Sequence, residues 1–259
     1  LQHRTRRASA QLFQTVSRYA REALVDPFDT PVGIGDDHAV GGLARNARQP
    51  RQQRLILLTS ALMALGVNDP RLLAAYEWMA RTTTGEGVAP MKDKHAPVRY
   101  FAGKCGPTFA CGANNKLPCA WGGVKVLLAL SQVPAEKRTV LIEGAICHGV
   151  DFFFSVDPST AEYPNGWAAK PSGNWWKFGF PVFYVTDILQ IAEALVALGY
   201  GNDKRLANTL ELIRSKQDEE GRWPLEYNYD GKTWMRFGKM KEPNEWVTLR
   251  ALKVLRSAA

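Results

Sequence analysis

One pattern, the end of an apolar helix followed by a fixed set of turn residues, occurs twice in this chain and restricts its fold more than any other feature. Ala61-Leu62-Met63-Ala64-Leu65-Gly66-Val67-Asn68-Asp69-Pro70-Arg71-Leu72 is matched by Ala194-Leu195-Val196-Ala197-Leu198-Gly199-Tyr200-Gly201-Asn202-Asp203-Lys204-Arg205-Leu206. In each, a glycine suited to the left-handed C-terminal cap follows the apolar helix, and an Asn/Asp turn opens a second helix. Both second helices run into glycine again, at Gly85-Glu86-Gly87 and at Gly221-Arg222-Trp223. Leu127 to Pro134, followed by a helix from Lys137 to Phe154, is a looser copy, and Trp246 to Leu255 begins another. The units start about 65 residues apart, a helix-pair period with long loops added. No stretch alternates with period two, so strands are expected to be few and short. The chain therefore reads as all-α.

The repeat occupies residues 51–259, and the segment before it is of a different kind. Within residues 8 to 24, Leu12, Val16, Tyr19, Ala20 and Ala23 recur at three- and four-residue steps and predict an amphipathic helix. Pro27, Pro31 and the glycines at 33, 35, 41 and 42 then break helical order and make residues 25 to 50 a loop. A basic arm, a helix and a Gly/Pro-rich loop thus make up residues 1–50. Stacked helix pairs bury a continuous core between neighbours and put inserted loops on one face, where binding usually resides. The insertions here are residues 85 to 119, 155 to 182 and 221 to 244, and they hold most of the Trp, Tyr and Cys.

The middle insertion is the most distinctive. From Tyr163 to Tyr184 it carries 8 aromatic residues in 22 positions, interrupted by Gly and Pro, so it is a long loop and not one helix. Rings at that density bury either themselves or a ligand. They read as the wall of a cavity or as a hydrophobic plug.

Composition narrows the function class. With 46% hydrophobic and 22% charged residues the chain has the makeup of an ordinary globular protein. The longest apolar stretches, such as Phe183 to Leu198, are interrupted by Asp187, Gln190 and Glu193, and none offers the roughly 18 uncharged apolar residues of a membrane span. The first residue is Leu1, and the opening lacks a signal-peptide pattern. That fits a processed product or a fragment, and a cytoplasmic protein with reduced thiols. The net charge of +8 comes partly from His3, Arg4, Arg6 and Arg7. A basic arm of this sort can touch an anionic membrane surface peripherally. No zinc finger, RNA-binding signature or recognition helix accompanies it, so nucleic acid is not expected as a partner.

Leu212-Ile213-Arg214-Ser215-Lys216-Gln217-Asp218-Glu219-Glu220-Gly221-Arg222-Trp223 resembles the QW repeat of terpenoid cyclases, in which a Gln is followed by Gly-x-Trp after a helix. With the helix pairs ending in ALxxLG, it looks like the family of squalene-hopene cyclases and protein prenyltransferase β-subunits. The stretch from Ala120 to Leu255 is also similar to a group of bacterial squalene-cyclase-like proteins of undefined activity. The resemblance covers roughly residues 50 to 257 and implies an α/α toroid around an apolar cavity. This chain counts about eight helices, fewer than the family's closed ring, which points to a short or open one. Only one good QW copy is present, because Arg81 to Gly87 lacks both Gln and Trp. A Gln amide can satisfy free backbone groups at a helix end while the Trp ring covers the junction, so Gln217 and Trp223 also have a purely structural reading.

The resemblance implies an apolar, isoprenoid-like ligand, and cyclisation, isomerisation or hydration by acid catalysis. Trp121, Trp167, Trp175, Trp176, Phe178, Tyr184 and Trp234 are the expected cavity lining, with ring faces able to stabilise a carbocation. The family's Asp-x-Asp-Asp motif has its nearest match at Asp36-Asp37-His38, which lacks the first Asp: a carboxylate pair can hold one proton and a neighbouring His reload it. Asp187, between the aromatic loop and a helix, is the other candidate acid. It reads either as a helix cap, stabilised by free amides, or as a desolvated cavity acid. A non-catalytic module gripping a partner with its loop face fits the same residues.

Cys105, Cys111 and Cys119 lie within fifteen residues, with Cys147-His148 further on. Thiolates and imidazole suit zinc, but the close Cys pair of structural zinc sites is missing, and so is the Asp-x-Cys of prenyltransferase zinc sites. No cofactor is expected, and a metal or disulfide clip ordering residues 101 to 119 is the alternative to unligated thiols. His95 and His148 have no evident partner. Nucleotide, dinucleotide, hydrolase and zincin motifs are absent from the sequence.

Overall fold

The computed structural model describes residues 59–67, 69–86, 107–111, 114–183, 185–233 and 235–258. Segment 1–50 with Asp36, Asp37 and His38, and also His95, Cys105, Tyr184 and Trp234, lie outside the described residues. The chain divides into two compact units, Leu1–Tyr76 and Glu77–Ala259. The described regular structure is helical in both, and β pairing is confined to isolated bridges.

In the first unit, residues 59–64 are helical and end at Gly66, whose φ of 74° is the left-handed conformation that glycine adopts without a Cβ clash. Val67 N–H reaches back to Leu62 O at 3.0 Å and Gly66 N–H to Met63 O at 2.9 Å. This double closure satisfies helix-end carbonyls, and it brings Val67 beside the Leu62/Leu72 core. Asp69 then accepts from Arg71 N–H at 2.9 Å and opens α1 (Pro70–Thr84).

The second unit repeats the device in the other sequence copy. Tyr200 N–H donates to Leu195 O at 2.9 Å and Gly199 N–H to Val196 O at 3.0 Å, with Gly199 at φ 90°. Asp203 accepts from Arg205 N–H at 2.9 Å, and the two side chains pair as Asp69 and Arg71 do. The repeat read from sequence is thus a repeat of hydrogen bonds.

Among the described residues, five further α-helices lie in this unit: α2 (Ala120–Ser131), α3 (Val140–Phe153), α4 (Ile188–Ala197), α5 (Ala207–Ser215) and α6 (Glu245–Ser257). Helix α4 is apolar on nearly every side, with Ile188, Leu189, Ile191 and Leu195 all 0% exposed, so it must be enclosed. Enclosing each such side chain is worth about 1.5–3 kcal/mol. Its neighbours are α2 and α6 on either side; α3 packs on α2, and α5 on α4. Helices α2, α4 and α6 therefore form one layer, and α3 and α5 a second. Connections from the first layer to the second are short, whereas those returning are the long insertions. Each insertion leads into the N-terminus of α4 or α6, or of α2, so the three collect at one end of that layer.

There they tie to one another. Asn114 Nδ2 donates to Pro118 O at 2.7 Å and Pro164 O at 2.9 Å, joining the first insertion to the second. Phe178 O accepts from Glu226 N–H at 2.8 Å and Phe180 N–H donates to Tyr227 O at 3.2 Å, joining the second to the third, and Pro224 bridges Pro243 within the third. Among the described residues no helix is long and apolar enough to cross a membrane.

Candidate functional site

A knot of buried polar groups holds the N-terminal halves of α2, α4 and α6 together. Asp187 is the N-cap of α4 and accepts from Gln190 N–H at 2.9 Å, which satisfies one of the free amides of the first turn. Its other oxygen accepts from Gly179 N–H at 3.1 Å. Arg250, one turn into α6, completes the set by donating to Oδ2 and Oδ1, both at 3.0 Å. Four donors thus converge on a carboxyl that is 2% exposed, and it has no oxygen facing open space.

Arg250 is equally committed. Nε donates to Glu193 at 2.8 Å, Nη2 to Glu193 and Asp187 at 3.0 Å, and Nη1 to Asp187 and, at 2.8 Å, to Gly179 O. All five guanidinium N–H bonds are used, the condition under which a buried charge is tolerated. Burial alone would lower the Arg250 pKa, but Asp187 and Glu193 outweigh it and raise it further above its usual range.

Lys125 is the third member, the one charge on the otherwise apolar α2. Its ammonium is buried and donates to Gln190 Oε1 and, at 3.5 Å, to Thr186 Oγ1, while Thr186 donates to the same Gln190 oxygen at 2.6 Å. Among the described residues no carboxylate lies within ion-pair distance of it. Burial pushes its pKa down to about 7; Asp187 and Glu193 act to raise it and Arg250 to lower it. Sequence reading missed Lys125, Glu193, Gln190 and Arg250. A lone lysine in an apolar helix is the one signal that was there to find.

The aromatic insertion divides into two parts. Between Tyr163 and Phe178 three rings form a plug: Tyr163 is 8%, Trp175 2% and Phe178 0% exposed, and the Trp175 indole donates to Pro158 O at 2.9 Å. The Tyr163 ring lies 5.6 Å from Trp175 and 5.5 Å from Phe153, and its hydroxyl donates to Phe153 O at 2.9 Å. Trp176, half-buried, donates to Ser159 O at 2.7 Å. Lys216 clips this part down from above the Phe178 ring, at 4.6 Å, by pairing with Glu226 at 2.7 Å. Trp121 is half-buried in the first turn of α2 and Trp167 is 71% exposed. The expected lining residues that are described thus fall in three surroundings, core, margin and surface, and do not converge on one space.

From Phe180 onward the described rings are part-exposed. Phe180 stacks on Trp246 with centroids 4.9 Å apart and 9° between planes, and Phe237 meets Phe180 edge-on at 5.2 Å. Beside them Phe183 packs on Tyr229 at 5.2 Å, and Tyr229 on Tyr227 at 5.3 Å. Phe183 is 43% and Trp246 40% exposed; the other four rings are half-buried. Trp246 and Arg250 are four residues apart on α6, so the platform stands directly on the polar knot. No protein family, characterised protein or solved structure matches this chain.

Gly179 joins platform to knot. A Cβ there would sit 2.8 Å from Tyr227 O, so the close pass of the two insertions requires glycine. Trp223 serves the neighbouring junction: fully buried, it donates to Ile213 O at 2.6 Å and covers the C-terminal end of α5, while Gln217 is exposed. For zinc, Cys111 and Cys119 lie side by side, Cys147 and His148 are exposed on α3, and no group of three or more His, Cys, Asp or Glu able to hold a metal occurs among the described residues.

Proposed function

We propose that the chain is a helix-pair module of the α/α-toroid kind that binds an apolar, isoprenoid-like molecule against the Phe180/Trp246 ring platform. The observation that carries this reading is the platform itself, rings that are left part-exposed although a rigid base holds them. Partly exposed rings fixed by neighbours offer contact area at little entropy cost, because they are ordered before the ligand arrives. A long, unbranched or methyl-branched hydrocarbon matches part-exposed ring faces and edges better than a polar ligand does. The layering of α2, α4 and α6 against α3 and α5 supports a toroid, open or closed.

Acid-catalysed cyclisation, isomerisation or hydration would need a proton donor aimed at the ligand. Asp187 spends its oxygens on Gly179, Gln190 and Arg250, which weighs against that role and favours binding without turnover. The direct test is incubation with polyprenyl alcohols and diphosphates of graded length, followed by chromatographic analysis of what returns. The expected result is retention and recovery of an unchanged apolar compound. Conversion that disappears in Asp187→Asn, with the variant still folded, would restore the catalytic reading.

A further inference from the structure

The third insertion exposes apolar and basic side chains together. Among the described residues ten large apolar side chains are exposed, and five of them belong here: Met235 (62%) and Met240 in the insertion, Trp246 and Leu249 at the start of α6, and Phe183, which packs on Tyr229. Scattered single exposures are ordinary, whereas this concentration marks a contact surface. The backbone that carries it is braced. Lys232 N–H donates to Tyr229 O at 2.8 Å, Thr233 Oγ1 to Met235 O at 2.8 Å and Lys241 N–H to Leu225 O at 2.7 Å, while the Asn244 amide donates to Phe237 O. The two methionines are therefore exposed by a hydrogen-bonded loop.

Lys232, Arg236 and Lys241 are exposed in the same segment and, among the described residues, have no carboxylate within ion-pair distance; Lys239 pairs with Glu242 at 3.3 Å. The exposed stripe of α6 continues the pattern, with Trp246, Leu249, Lys253 and Arg256 three or four residues apart. Asp230 and Glu245 are the unpaired acids of this surface, so two acids oppose five unpaired bases. Apolar side chains interleaved with long cationic ones suit an anionic bilayer interface. The thioethers can enter the acyl boundary, the indole sits at the headgroup level, and the cations reach the phosphates. A nucleic acid would use the charges but leave Met235 and Met240 in water.

We propose that residues 229–256, from the third insertion along α6, dock the protein on an anionic lipid bilayer. The surface includes part of the ring platform but needs no bound ligand, so it stands whether or not the platform takes an isoprenoid-like molecule. It is separate in sequence from the basic arm at residues 3–7. Each Lys or Arg brought to such a bilayer strengthens binding about fivefold, and inserting the two thioethers adds about tenfold.

The test is co-sedimentation of the full chain with vesicles of phosphatidylglycerol and phosphatidylcholine in equal parts, against vesicles of phosphatidylcholine alone. Saturable binding to the anionic vesicles is expected, weakened by raised salt and about tenfold or more poorer on the neutral ones. The triple variant Lys232→Gln, Arg236→Gln, Lys241→Gln should lose about 100-fold, and the double variant Met235→Ser, Met240→Ser about tenfold. All five side chains are exposed, so both variants should keep the parent circular dichroism, and both retain the platform rings, so farnesol binding is read separately. Equal binding to both vesicle types, binding to neither, anionic binding that survives both variants, or single-stranded RNA bound in place of vesicles would overturn the proposal.

Discussion

Arg250 sits 11% exposed between two carboxylates, Asp187 and Glu193, and its side chain decides whether the centre of the second unit holds. Replacing it by Met removes five hydrogen bonds and leaves two acidic groups facing each other. Removing one partner of a buried pair costs about 3–5 kcal/mol, because the orphaned charge remains. Arg250→Met is therefore expected to lose that much in urea unfolding, while Arg222→Met, at an exposed pair, loses less than about 1 kcal/mol. Lys125 poses the opposite case. Its folded-state pKa is depressed to about 7, so above that pH the unfolded chain binds the extra proton and stability rises as pH increases. The rise runs from about pH 7 to the ordinary lysine range near 10.4 and amounts to roughly 5 kcal/mol. Lys125→Met should lose this rise, so the difference between the parent and variant stability curves carries the slope across that window; parallel curves would mean the amine is not titrating there. The partners of neither residue were legible in advance, although a lone lysine in an apolar helix marked Lys125. Arg250 lies 63 positions from Asp187 and Lys125 lies 65 from Gln190, and a pairing over such separations leaves no periodic trace. The cap role of Asp187 was legible, because a carboxylate before an apolar helix has a local partner.

Among elements, the helix ends were the most readable part of the chain, for the same reason. Gly66 and Gly199 each close a helix with the same two hydrogen bonds, and Asp69 and Asp203 each open the next with the same pairing to Arg71 and Arg205. All of these contacts span five residues or fewer, so residue type and spacing determine them. Gly199→Ala places a Cβ at φ 90° with free space around it, and the expected cost is about 1–2 kcal/mol of pure conformational strain. Gly179→Ala differs in kind: its Cβ meets Tyr227 O, so the two insertions must separate, and the loss should be larger and accompanied by altered near-ultraviolet circular dichroism. Thermal melts of the two variants distinguish strain from displacement. The aromatic insertion was recognisable as a loop but not as two parts. Whether a ring faces in or out depends on the Lys216–Glu226 clip and on α6, both far along the chain.

Over the second unit as a whole, alternating helices form two layers and the long connections gather at the N-termini of α2, α4 and α6. The sequence made the helical class and the placement of insertions readable; it did not indicate which rings remain part-exposed. Phe180, Phe183, Tyr227, Tyr229, Phe237 and Trp246 come from two insertions and a helix, and only folding brings them together. Their platform, braced by Arg250 and Asp187, is the site we propose for binding an apolar molecule. Equilibrium dialysis with radiolabelled farnesol tests that proposal most directly. Saturable binding is expected for the parent chain, weakened about tenfold by Trp246→Ala and left intact by Trp167→Ala at an exposed ring outside the platform. Equal affinity in all three proteins, or no saturable binding in any, would contradict it.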